Sequence, residues 1–131
     1  MRQRNIVRFG NDRSFNKYRA VTCFRDGIRF DSRKEADYYV KLKLLKRAKI
    51  IKDFKRQVTF PLFGCEALLP GEKAKIVKIE KVADHRVDFV VSFPDGREEV
   101  HEVKGFATDV WNLKRKLFEA NYPGIPYRVV Y

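Results

Sequence analysis

Residues 86–105 read RVDFVVSFPDGREEVHEVKG, and this stretch decides the fold. Every second residue from Val87 through Phe89 to Phe93 is apolar, which is the period of a half-buried β-strand, so we expect these residues to share one face. The tripeptide Pro94-Asp95-Gly96 suits a type I turn closed by a glycine in the left-handed region. The stretch therefore predicts a β-hairpin with a three-residue loop, in which Phe93 pairs with Arg97.

This register predicts a pair of facing carboxylates. Asp88 then lies directly opposite Glu102, and such side chains stand about 5 Å apart on one face of a sheet. Like charges in this position are destabilising, so a cation between them would make the pair easier to tolerate. Mg²⁺ takes oxygen ligands and keeps several waters, and it can activate a water and stabilise charge on a phosphate.

Lys104 is two residues beyond Glu102 and should point to the same face. Beside a metal, its ammonium could orient the attacking water or neutralise developing charge. A solvated, charged strand face is the alternative interpretation, and it holds if the pairing is shifted by one residue.

The charge of the chain favours a polyanionic partner. The 131 residues include 29 Lys and Arg against 17 Asp and Glu, and the net charge is +12. The whole excess lies in residues 1–60, with 18 basic and 6 acidic residues. A basic bias with interleaved aromatic residues indicates nucleic acid, although ribosomal and membrane-surface proteins share it.

Length and composition predict one folded domain with a real core. No apolar run approaches the ~20 residues of a membrane helix, and the polar, basic N-terminus does not read as a signal peptide. Cys23 and Cys65 lack partners at metal-ligand spacing, so we expect reduced thiols and a cytoplasmic location.

We divide the chain into a basic, flexible arm (1–16) and a single domain (17–131). The predicted class is α/β, with a mixed central sheet flanked by helices in the order α-β-β-β-α-β. The predicted elements are a hairpin (Tyr18–Phe30, turning at Asp26-Gly27), a helix (Ser32–Lys49), a strand (Phe54–Phe63), a loop (Gly64–Glu72), an extended segment (Lys73–Val82), the hairpin of residues 86–105, a helix (Thr108–Asn121) and a last strand (Tyr127–Tyr131).

Glu35 is a third carboxylate with two interpretations. On helical geometry it shares a stripe with Tyr39 and Leu42, so it heads the face that should pack on the sheet. The sequence Ser32-x-x-Glu35 also fits a capping box, in which the glutamate bonds the serine backbone N–H. Only a helix start that abuts the Asp88–Glu102 face would give Glu35 a role in the site.

Several ordered motifs resemble a family of small phage and prophage nucleases within the PD-(D/E)XK, or restriction-endonuclease-like, superfamily. The resemblance covers about Lys17 to the C-terminus, and Val87 departs from it by replacing the proline of the "PD" half. The motifs are FDSRKEA (30–36) followed by Tyr39, then Gln57, RVDF (86–89), HEVKG (101–105), and Thr108 with LKRK (113–116).

The resemblance implies a restriction-endonuclease-like core and Mg²⁺- or Mn²⁺-dependent cleavage of DNA, in several relatives at branched structures or Holliday junctions. It implies that Asp88, Glu102 and the Val103 carbonyl ligate the metal. Lys104 would be the motif lysine, Glu35 the acid of the first helix, and Gln57 a supporting residue. Symmetric cutting of a junction would need a homodimer, since one centre cuts one strand.

Further basic residues become candidate phosphate contacts in this interpretation. They are Arg33, Lys34, Lys114, Arg115 and Lys116, with Arg2, Arg4, Arg8 and Arg13 in the arm. We expect His101 to point away from Glu102, Glu98 and Glu99 to face solvent, and Trp111 to lie in the core or an interface. A non-catalytic DNA-binding accessory protein with a nuclease-like core, or a nuclease subunit that needs a partner, are the alternatives.

Overall fold

The computed structural model describes residues 22–67 and 76–131. The predicted arm (1–16), including Arg2, Arg4, Arg8 and Arg13, lies outside these ranges. Within them the chain forms β1 (Cys23–Arg25), β2 (Ile28–Phe30), α1 (Arg33–Arg47), β3 (Asp53–Ala67), β4 (Ile76–Ser92), β5 (Glu98–Val103), α2 (Asp109–Asn121) and β6 (Tyr127–Val130). From α1 onward the order is α-β-β-β-α-β, as the sequence predicts.

Four strands form one mixed sheet in the spatial order β3-β4-β5-β6. The first three are antiparallel, and β6 pairs in parallel with β5. A parallel pair needs a crossover connection, and α2 supplies it. β1 and β2 form a separate hairpin that turns at Asp26 and Gly27, both with positive φ. The expected α/β class with a mixed central sheet is confirmed.

The β4–β5 hairpin has the predicted register. Phe89 pairs with His101 and Ser92 with Glu98. Phe93 N donates to the Arg97 carbonyl at 2.9 Å, and Gly96 closes the loop with a φ of 88°. The three-residue loop is therefore confirmed, and it fixes the distance along the sheet from the turn to the carboxylates.

Both helices begin at hydroxyl caps. The Ser32 side chain accepts from Glu35 N, and the Thr108 side chain accepts from Trp111 N, each at 3.1 Å. α1 ends at Arg47, two residues before the predicted end, because Lys49 adopts a left-handed φ of 60° that the helix cannot continue.

The strands β3 and β4 are longer than predicted. β3 runs to Ala67, so the first four residues of the predicted loop Gly64–Glu72 belong to the strand. β4 runs without interruption from Ile76 to Ser92 and absorbs the described part of the predicted extended segment. The two strands pair along this whole length, with irregularities after Leu62 and Glu66. The long pairing supplies hydrogen-bond partners for backbone groups that lie beyond the apolar core.

Two apolar cores lie on opposite faces of the sheet. The neighbours Val90 and Val91 of β4, whose side chains point to opposite faces, belong to different cores. The α1 core contains side chains of α1 and of the β1–β2 hairpin and includes Phe30, Ala36, Tyr39, Leu42, Ile51, Phe89 and Val91. The α2 core includes Leu62, Val87, Val90, Val100 and Phe118.

The predicted shared face of Val87 and Phe89 is wrong, since Val87 lies in the α2 core and Phe89 in the α1 core. β3 changes sides at the same level: Phe54 packs on the α1 core, whereas Val58 packs on the α2 core. In β3 the change occurs at Gln57, whose φ of 51° interrupts the extended backbone on which a period of two depends. Gln57 lies between the pairs Arg56–Phe89 and Val58–Val87, so the change in β4 falls at the same point of the ladder.

No helix of the described residues is both long and apolar enough to cross a membrane.

Candidate metal and nucleic-acid site

The carboxylates of Asp88 and Glu102 each accept a hydrogen bond from a backbone N–H of the opposite strand, at the point where β4 changes sides of the sheet. The last pair in the β4–β5 ladder is Phe89 with His101. Beyond it Asp88 N donates to Glu102 Oε2 at 2.9 Å, and Val103 N donates to Asp88 Oδ2 at 2.9 Å. Each carboxylate thus replaces a ladder acceptor, which fixes both side chains against the sheet. The structure brings together the two acids that the sequence predicted to face each other.

Gln57 connects the first helix to this pair. Its Nε2 donates to Glu35 Oε1 at 2.9 Å, and its side chain lies close enough to Asp88 to offset part of the rise in pKa that burial causes there. Glu35 is 7% exposed, and its carboxylate turns toward the sheet while Ser32 caps its backbone N–H. The serine half of the capping box is therefore present, and Glu35 also lies within electrostatic range of Asp88.

Burial and the charge of Asp88 disfavour the ionisation of the two glutamates. Burial, followed by the charge of Asp88, raises the pKa of Glu102 to about 7 and the pKa of Glu35 to about 7. Burial also raises the pKa of Asp88. A group of carboxylates that keeps its protons near neutral pH gains most from a cation that replaces them.

Lys104 lies beside the pair, as predicted. Its Nζ is 3.5 Å from Glu102 Oε1 and 5.1 Å from the centre of the Trp111 ring. Trp111 is 7% exposed, which fits the expected core position, and its indole restricts where the lysine stem can go. The ammonium is thereby held near Glu102 while one quarter of the side chain stays exposed.

The predicted phosphate contacts separate into different places. Lys114 shares a pocket with Glu102 and Lys104, and its Nζ donates to the Asp84 carbonyl at 2.9 Å. Arg115 and Lys116 line a different groove, and Arg115 pairs with Glu119 at 3.2 Å. Arg33 and Lys34 lie at the start of α1, and their side chains are exposed.

The prediction that Glu99 faces solvent is wrong. Glu99 is 3% exposed and accepts from Arg128 Nε and His101 Nε2, both at 2.9 Å. His101 Nδ1 lies 2.6 Å from the Tyr38 hydroxyl on α1, so its ring faces the α1 layer and away from Glu102, as expected. Glu99 and His101 are buried because α1 and β6 pack over them, and the sequence around β5 does not show this covering. Glu98 is exposed, as predicted.

Arg56 is a neighbour of the site that the sequence did not indicate. Its guanidinium stacks over the Phe30 ring at 4.4 Å, and its charge lowers the pKa of Glu35. Arg56 Nε is buried and has no hydrogen-bond partner among the residues that the structure describes. Its place just before Gln57 is the only sequence signal for it.

The donor set fits a hard, water-rich cation. No three side chains of His, Cys, Asp or Glu within residues 22–67 and 76–131 are grouped to hold a metal ion. The available donors are Asp88 Oδ1 and Glu102 Oε1, neither of which bonds the backbone, together with the adjacent Val103 carbonyl. Mg²⁺ is commonly held by one or two carboxylates and keeps several waters, so these oxygens suit Mg²⁺ or Mn²⁺ better than zinc.

Comparison with known proteins places this arrangement in a family without an assigned activity. No curated protein and no solved structure matches the chain. A family model described as "Protein of unknown function (DUF1064)" matches residues 15–130, and this range includes Glu35, Gln57, Asp88, Glu102 and Lys104. The match spans most of the 131 residues, so the chain belongs to the DUF1064 family.

Proposed function

We propose that this protein is a metal-dependent endonuclease that hydrolyses DNA phosphodiester bonds, with a restriction-endonuclease-like core. The observation that carries the proposal is the position of the Asp88 and Glu102 carboxylates at the open end of the β4–β5 ladder. There Glu102 accepts from Asp88 N, Asp88 accepts from Val103 N, and Lys104 Nζ lies 3.5 Å from Glu102. A buried glutamate beside a partly buried aspartate is costly for folding alone, which favours a chemical role.

Asp88, Glu102 and the Val103 carbonyl would hold Mg²⁺ or Mn²⁺. The bound ion supplies an activated water and charge stabilisation on a phosphate. The protein's contribution is to fix the oxygens: Asp88 N and Val103 N restrain the two carboxylates from opposite strands. Gln57 of β3 restrains the Glu35 carboxylate and so keeps a third acid near the site.

Lys104 would act on the substrate rather than on the cation. An ammonium donates hydrogen bonds and cannot ligate a metal. Its position against Trp111 leaves it free to meet a phosphate oxygen or the attacking water next to Glu102.

The proposed substrate is DNA, and the resemblance to phage and prophage nucleases favours branched DNA or a Holliday junction in recombination, replication or packaging. The net charge of +12 supports a polyanionic partner. One set of acids cuts one strand, so symmetric cutting of a junction would require a homodimer.

The test is cleavage of linear duplex, flap, bubble and four-way-junction DNA in Mg²⁺, Mn²⁺, Ca²⁺ or EDTA. We expect cleavage in Mg²⁺ or Mn²⁺ and none in EDTA, with the branched substrates cut fastest. Asp88→Asn and Glu102→Gln should abolish cleavage but retain DNA binding, because their charges serve the metal.

Glu98→Gln is the matched control, since Glu98 is an exposed acid of the same strand. Full activity in Glu102→Gln would refute the assignment. Binding without cleavage in every metal would instead favour the non-catalytic accessory protein, or a subunit that needs a partner.

A further inference from the structure

A pocket of about 590 Å³ opens beside the proposed catalytic pair, on the α2 side of the sheet. Glu102 and Lys104 of the proposed site line this pocket, and so does Arg86 of β4. Thr108, which caps α2, and Lys114 of α2 also line it, so the pocket extends from Glu102 along the helix. We call this cavity the α2 pocket.

The polar groups of the α2 pocket favour an anion. Arg86, Lys104 and Lys114 bring three cations to one cavity. Asp84, also in the wall, already pairs with Lys81 at 3.0 Å. His85 is 2% exposed and bonded to the Tyr127 hydroxyl, so it adds little to the polar surface of the cavity.

Lys114 keeps donors for a ligand. An ammonium carries three N–H groups, and the Asp84 carbonyl takes one of them at 2.9 Å. That bond also holds Nζ at the wall, which lowers the entropy lost when a ligand binds. The first turn of α2, capped by Thr108, adds the positive end of a thirteen-residue helix to the same cavity.

We propose that the α2 pocket binds a phosphate group of the nucleic-acid strand next to the phosphate that is cut. The inference rests on the proposed function and specifies a contact that orients the strand. The volume exceeds that of a phosphate and accommodates an attached sugar. Glu102 and Lys104 both line the cavity, so a strand that enters it passes beside the proposed catalytic site.

The test uses Trp111, which lines the pocket and is the single tryptophan of the chain. Its fluorescence is titrated in EDTA with the single-stranded tetranucleotide dT₄, with and without a 5′-phosphate. EDTA prevents cleavage, so the readout is binding alone. One methylphosphonate linkage at a time then removes the charge of each internal phosphate.

We expect a saturable fluorescence change, and one phosphate whose neutralisation weakens binding most. Lys114→Met and Arg86→Met should each weaken binding roughly tenfold, since each removes a charged hydrogen bond worth about 1.4 kcal/mol. Each should also reduce the log–log salt slope by about 0.7 for a single strand. In Lys114→Met, neutralising that one phosphate should weaken binding no more than neutralising any other.

Lys52→Met is the control: it removes one exposed positive charge at the turn end of β4, where Lys52 N bonds the Ser92 carbonyl. Equal losses in Lys52→Met and in both pocket variants, or no fluorescence change, would overturn the inference. A dependence on the 5′-phosphate identifies a terminal monoester, and equal binding without it identifies an internal diester. If the pocket binds the strand but no DNA is cleaved in Mg²⁺, the proposed nuclease function fails while the phosphate site in the α2 pocket stands.

Discussion

Replacing Glu102 with glutamine should stabilise the metal-free protein, and the gain should increase with pH. Burial, followed by the charge of Asp88, raises the pKa of Glu102 to about 7, whereas its ordinary value is 4.5. The folded state therefore binds this proton more tightly than the unfolded state. The stability that the proton contributes is complete below pH 4.5 and is lost as the pH rises through 7.

The magnitude follows from that difference in pKa. A change from 4.5 to about 7 corresponds to about 3 kcal/mol of stability lost between pH 4.5 and pH 8. Glutamine has nearly the same shape as glutamate, and its oxygen can still accept from Asp88 N. Glu102→Gln should therefore be more stable than wild type by up to about 3 kcal/mol at pH 8, and by little at pH 5.

The assay is thermal unfolding followed by circular dichroism in EDTA from pH 5 to pH 8. For a domain of this size the expected difference in Tm at pH 8 is roughly 10 °C. Glu98→Gln makes the same change in charge at an exposed position and should leave the pH dependence as in wild type. A Glu102→Gln variant that melts below wild type at pH 8 would refute the view that this acid opposes folding.

Three further changes test individual side chains. Glu35→Gln should fold normally, because Ser32 still caps the helix, yet cleave DNA poorly; near-normal cleavage would leave only a capping role. Lys104→Ala should lower the cleavage rate strongly with little change in Mg²⁺ affinity, measured by isothermal titration calorimetry, and a mainly weakened affinity would contradict its assigned role. Gln57→Gly should be about 1 kcal/mol more stable in urea unfolding than Gln57→Ala, since alanine retains the left-handed strain at φ 51°; equal stability would show that the strain is small.

The sequence by itself determined the features that depend on near neighbours in the chain. Pro94-Asp95-Gly96 set the hairpin loop, and the loop set the register that places Asp88 beside Glu102. Ser32 and Thr108 marked the helix starts, because a hydroxyl that accepts from an N–H three residues later is a local interaction. Turn and cap chemistry act over three or four residues, so their signals survive without knowledge of the fold.

Only the tertiary structure decided which layer each side chain joins. Alternation predicts a shared face only while the backbone stays extended, and the left-handed φ of Gln57 ends that condition without a glycine or asparagine to signal it. β3 therefore changes sides at Gln57. Beside it in β4, Val87 and Phe89 enter different cores, and Glu35 on α1 comes within electrostatic range of Asp88. Contacts between segments far apart in sequence hold Gln57 in this conformation, and a local pattern does not encode them.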